Sequence, residues 1–136
     1  MTTINLDTAN KVEMVESIVQ MTLVAAEAIT AGAIVRIDTT AGKFTNGNGS
    51  SSTEVRIYGV ALKTAAAGEP VTAIRKGVLD GWDLSGMNYD AAVYASDTDG
   101  RLDTAAGTVS LVIGRVIPGT ANLLGASPDK LLFVDL

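Results

Sequence analysis

The 136-residue chain contains no cysteine and no histidine. Without cysteine there is no disulfide framework and no thiol nucleophile. Without histidine the commonest general base is missing, together with Ser-His and Cys-His pairs and most zinc sites. Aromatic residues are also scarce, at 4% of the chain: one Trp, three Tyr and two Phe. A core drawn from this composition rests on small side chains, which predicts that subunit contacts supply part of the burial. Ten basic residues face fifteen acidic ones, for a net charge of −5, and only Arg75 and Lys76 are adjacent. Neutralising phosphates needs clustered Lys and Arg, so no nucleic acid is expected as a partner. The same charge disfavours an anionic membrane surface. No apolar run approaches the roughly 20 residues that span a bilayer. Residues 1–10 lack the basic and apolar regions of a signal peptide, so the chain is expected to be made in a cytoplasm and to stay soluble.

What is present reads as β-structure. Hydrophobic residues make up 47% of the chain, too many for a disordered segment, and the length suits one domain. The clearest grammar is Tyr58-Gly59-Val60-Ala61-Leu62 followed by Ala67-Gly68-Glu69-Pro70-Val71-Thr72-Ala73-Ile74, two apolar runs with a turn between. The second run ends near Lys76 and resumes after Gly77 as Val78-Leu79-Asp80-Gly81. Residues 11–20 suit either strand alternation or a helical stripe, and their β-branched Val12, Val15, Ile18 and Val19 favour a strand. Further strands are expected at residues 21–25, 33–38, 54–62, 92–95, 101–104, 109–117 and 131–134. The polar, Gly-rich stretch at 46–53 reads as a loop with nothing to bury. Ala31-Gly32, Ala67-Gly68 and Ala106-Gly107 each precede a Val-containing strand, where glycine supplies a positive φ without a Cβ penalty.

These signals predict an all-β fold, a small β-barrel or β-sandwich of short antiparallel strands, with an extended N-terminal arm. Residues 1–20 form the arm and a candidate first strand, and residues 21–136 form a single β domain.

Chemistry is hard to find in this chain. Asp80 and Asp83 are the tightest carboxylate pair outside the Asp97-Asp99 turn, and both sets read as solvated turn carboxylates. Asp97-Thr98-Asp99-Gly100 begins like a calcium loop, but Leu102 and Thr108 stand where the Gly and Glu of an EF-hand belong. A hairpin turn is expected there instead. No catalytic, cofactor-binding or metal-binding residue is therefore assigned, and no small-molecule substrate is expected. Candidate partner-binding residues are Ile4 and Leu6, as apolar anchors of the arm, and Trp82, Leu84, Met87 and Tyr89, as an apolar loop between two aromatics. The plainer reading of Trp82 is a plug at one end of a barrel.

The chain also resembles the small capsid decoration, or cement, proteins of tailed bacteriophages. The likeness runs from about residue 28 to residue 135. It rests on Gly32 with Val35-Arg36-Ile37-Asp38, on Gly59-Val60-Ala61, and on Gly68-Glu69-Pro70-Val71. It continues through Val93-Tyr94-Ala95-Ser96-Asp97 with Gly100-Arg101-Leu102, then Ile113-Gly114-Arg115-Val116, and closes on Asp129-Lys130-Leu131-Leu132-Phe133-Val134-Asp135. Where the family pattern has glycine after a tyrosine, this chain carries Asp90. The resemblance implies a homotrimer on the outer surface of the virion capsid, made in a bacterial host. It would bind at junctions between major capsid protein subunits and clamp the expanded shell without catalysis. No binding residues carry over, because the family's contacts form no transferable motif. The rival expectation is a glycan- or receptor-binding β module of a phage fibre or surface adhesin, which the shortage of aromatics disfavours. An enzyme is a distant third.

Overall fold

The computed structural model describes residues 2–119 and 130–136; Asp129, which opens the closing string above, lies outside them. Counted over the described residues, nine strands are formed: β1 (Glu13–Val24), β2 (Ile34–Ile37), β3 (Phe44–Asn46), β4 (Ile57–Ala61), β5 (Pro70–Asp80), β6 (Ala92–Ala95), β7 (Leu102–Asp103), β8 (Val112–Pro118) and β9 (Lys130–Asp135). Among the described residues there is no helix. The expected all-β class is the observed one.

The strands form one antiparallel sheet in the order β3-β2-β4-β5-β9-β8-β6-β7, which curls into a half-barrel. Strand β5 organises it. One edge of β5 pairs with β4 through Ala73 and Ile74, then with β9 from Lys76 to Leu79. The other edge pairs with β1 along its length. The terminal strand β9 thus lies inside the sheet, between β5 and β8, as its apolar sequence predicted.

Adjacent residues of the central strands serve two separate cores. Ile34, Val60 and Ile74 face the larger core, with Leu79, Trp82, Val93, Ile113 and Leu132. Their neighbours Val35, Ala61 and Ala73 face a second core around Phe44, with Ala25, Ile29, Ala33 and Ala65. Successive side chains point to opposite faces of a strand, so burial on both faces produces continuous apolar runs. The alanines let the covering segments approach closely, which explains why a composition poor in large side chains still fills this layer.

Four local expectations need correction. Strand β1 is a single element that crosses the expected boundary at residues 20 and 21. Strand β5 runs straight through Gly77, because that glycine serves close approach: a Cβ there would lie 2.4 Å from the Glu16 carbonyl oxygen of β1. Strand β3 had no sequence signal beyond Phe44, which is fully buried. The loop after β3 does bury backbone, since Gly47 and Gly49 are both buried. Their N–H groups donate to Ile34 O at 3.0 Å and Ser96 O at 2.7 Å. Only glycine fits so close to the sheet; a Cβ on Gly49 would meet Ala95 O at 3.0 Å.

The Ala-Gly turns divide similarly. Gly32 and Gly68 adopt φ values of 85° and 89°, as expected. Gly107 has no positive φ; a Cβ there would sit 2.5 Å from Asp97 Oδ1, so space rather than conformation selects it.

Candidate functional site

The carboxylates singled out from sequence hold loops in place. Asp83 follows β5 and accepts from the Ser85 hydroxyl at 2.6 Å and the Ser85 N–H at 3.2 Å. These bonds, the hydroxyl first, hold its pKa below the ordinary 3.8. Asp97 is likewise lowered, by the Thr108 N–H and then the Thr108 hydroxyl. Asp99 accepts from Asn48 Nδ2 at 3.1 Å. A general acid needs a raised pKa in an apolar site, and Asp83 and Asp97 are shifted the opposite way. Asp80 ends β5 opposite Glu13 of β1. Residues 97–100 form the expected hairpin turn between β6 and β7, with Gly100 at φ 70°.

The adjacent basic pair makes no patch. Neighbouring strand residues face opposite sides of the sheet. Arg75 lies 5.2 Å from the Tyr58 ring centroid, while Lys76 is 3.8 Å from Asp135.

The N-terminal arm lies along the half-barrel's opening. Ile4 N donates to Leu102 O at 2.9 Å, and Thr104 N donates to Thr2 O at 3.0 Å, so the arm adds to the edge of β7. On its other side, Asp83 N donates to Asn5 O at 2.8 Å and Asp7 N to Gly81 O at 2.7 Å. The arm therefore bridges β7 to the end of β5. Ile4 is 5% exposed and sits in the larger core, with Leu6 packed against it. Trp82 and Leu84 are buried in the same core, so the tryptophan is an internal plug. Met87 is partly buried against that core. Tyr89 is 39% exposed, with Lys130 Nζ 5.3 Å from its ring centroid. The six candidate residues thus gather at one end of the molecule, most of them with their side chains turned inward.

Two open concavities flank the arm. One, of about 360 Å³, is lined by Ile4, Leu6, Thr30, Trp82 and Arg101 among others. The second, of about 700 Å³, has Thr2, Asn5, Asp83, Met87, Tyr94 and Thr104 on its walls.

The most unusual surface is β1, which sequence reasoning passed over. Met14, Val15, Ile18, Val19, Met21 and Val24 are all exposed, Val15 at 57% and Ile18 at 54%. Register shifts leave Val15 and Ile18 out of the ladder with β5, while residues 20–24 pair regularly. Among the described residues the strand stands against a single neighbour, β5, and it shows apolar side chains on both faces. Apolar residues on both faces of a strand ordinarily signal a buried position, so local sequence pointed the wrong way here.

Comparison of the chain with models of known protein families and with curated proteins finds no match.

Proposed function

We propose that this chain is a structural decoration, or cement, protein of a bacteriophage head. It binds the outer surface of the expanded capsid at junctions between major capsid protein subunits and stabilises the shell without chemical turnover. The ordered series of strings that resembles the family supports this reading. The structural observation that carries it is β1, an apolar strand of twelve residues left exposed by its own fold. Burying the remaining half of such side chains yields about 1 kcal/mol each. Repeated around a symmetric shell, modest contacts of that size add through avidity.

The homotrimer belongs to the same proposal. Cyclic closure through strand pairing requires two different bare edges on each copy. Among the described residues only β1 offers one, so the three-fold contact is assigned to side-chain packing.

The test is co-sedimentation of purified protein with expanded, decoration-free heads and with unexpanded proheads. Saturable binding to expanded heads alone is expected. Binding to neither, using heads of the matching phage, would sink the cement reading. It would favour the glycan- or receptor-binding module, with the concavity beside Tyr94 as its first candidate site.

A further inference from the structure

A curled, open sheet leaves strand edges whose unpaired N–H and C=O groups recruit other strands unless they are covered. This chain covers two of its edges with its own backbone. The edge of β7 is taken by the arm, through the bonds of Thr2 and Ile4 described above. The edge of β3 is taken by the segment after β1. Ala25 bridges Phe44, Ala26 N donates to Phe44 O at 2.8 Å, and Glu27 accepts from both Thr45 and Asn46. The outward edge of β1 has no strand partner among the described residues.

Nor does β1 carry the usual guards against pairing. Residues 13–24 include no proline, lysine or arginine. The half that pairs regularly with β5, residues 20–24, is uncharged.

We infer that two copies of this chain join edge to edge through β1, antiparallel about a two-fold axis, to make one continuous sheet. The choice of occupant follows from the covered edges. Among the described residues a strand contact between copies has only the β1 edge to use, and a contact between identical edges is two-fold symmetric. Charge selects the orientation. Parallel pairing in register would set Glu13 against Glu13 and Glu16 against Glu16, and like charges directly opposite destabilise a ladder. No antiparallel register with its axis within residues 18–22 sets one glutamate of the strand against the other. The bulges at Val15 and Ile18 bend the first half of the strand, so the axis falls within residues 18–22. Twelve strand residues extend about 40 Å, a contact at the small end of specific interfaces. The pair therefore forms and separates with protein concentration. It is independent of any three-fold contact and of any capsid.

The chain has no cysteine, which makes the test direct. Single variants Ile18→Cys, Val19→Cys, Gln20→Cys, Met21→Cys and Thr22→Cys are oxidised mildly, and the yield of disulfide-linked pairs is measured. Sedimentation velocity over a range of concentrations accompanies them, with no heads present. The expected result is a concentration-dependent association and a cross-linking yield that peaks at one position and falls on either side. The double variant Ile18→Lys/Gln20→Lys, at two exposed sites, should weaken association by about tenfold or more while Trp82 fluorescence stays native. Even yields along β1, or association unchanged by the two lysines, would overturn the inference. Because no capsid enters these measurements, their failure is distinguishable from failure of the cement role.

Discussion

Asp97 accepts two hydrogen bonds from Thr108, one from the backbone N–H at 2.8 Å and one from the hydroxyl at 2.7 Å. The pair fastens the loop after β7 to the β6–β7 turn. Gly107 closes the same contact, because its missing Cβ leaves room for the Asp97 carboxylate.

Acid should loosen this fastening. The pKa values of Asp38, Asp83 and Asp97 all lie below 3.8, each lowered by hydrogen bonds from nearby N–H or hydroxyl groups. A carboxylate with a depressed folded-state pKa contributes stability above its unfolded pKa and loses it as pH falls through the folded value. Thermal melting followed at pH 7 and then stepwise below pH 4 should show a falling Tm (roughly the Asp range). The Asp97→Ala variant should melt below the parent at neutral pH, and the gap should narrow in acid. A constant gap across that range would refute the assignment.

Glycines should divide sharply by what a methyl group would meet, two of them in strands and Gly86 in the turn after β5. A Cβ on Gly114 would lie 1.9 Å from Phe133 O, and one on Gly59 would lie 2.6 Å from Ile74 O. Gly114→Ala and Gly59→Ala should each cost about 3 kcal/mol or more, since the neighbouring strand must shift. Gly86→Ala has nothing within 4 Å of the new atom and should stay within about 0.5 kcal/mol of the parent. Urea titration of Trp82 fluorescence reads all three.

Asp90 holds a glycine-like backbone, with φ at 66°. Aspartate visits this left-handed region more readily than most residues. Its carboxylate is also 2.7 Å from Arg115 Nη1, an exposed ion pair of small worth. Asp90→Gly should therefore be close to neutral. Asp90→Val should destabilise by about 1–2 kcal/mol through backbone strain alone. Equal stability of the two variants would show that the backbone relaxes at this turn.

The N-terminal arm should behave as part of the core. Ile4→Ala removes a buried side chain that closes the half-barrel, and should cost about 2–4 kcal/mol. Val15→Thr and Ile18→Thr change exposed positions on β1 and should stay within about 0.5 kcal/mol of the parent. The same two substitutions should weaken binding to expanded heads. Destabilisation by either, comparable to Ile4→Ala, would return β1 to the core and remove it as a docking surface.

Much of the fold was legible because strand signals are local. The turns at Gly32 and Gly68, the hairpin at residues 97–100 and the strand β9 followed from turn chemistry and short apolar runs. The division of β1 at residues 20 and 21 had no turn residue behind it, whereas the break placed at Gly77 was misread because glycine was taken as punctuation. Its role at Gly77 is set by Glu16, a residue distant in sequence. The candidate site was less legible. Ile4, Leu6, Trp82 and Leu84 look alike in sequence whether they serve a partner or the chain's own core.

By itself the sequence determined the β class, the positions of most turns, and the absence of thiol and imidazole chemistry, since these depend on residue type and near neighbours. Only the tertiary structure decided which apolar residues are spent inside. Ile4 is buried because the arm lies beside Leu102 and Trp82, whereas Ile18 is exposed because no segment among the described residues covers its face of β1. That difference arises from pairings between segments far apart in the chain, and no local pattern encodes it.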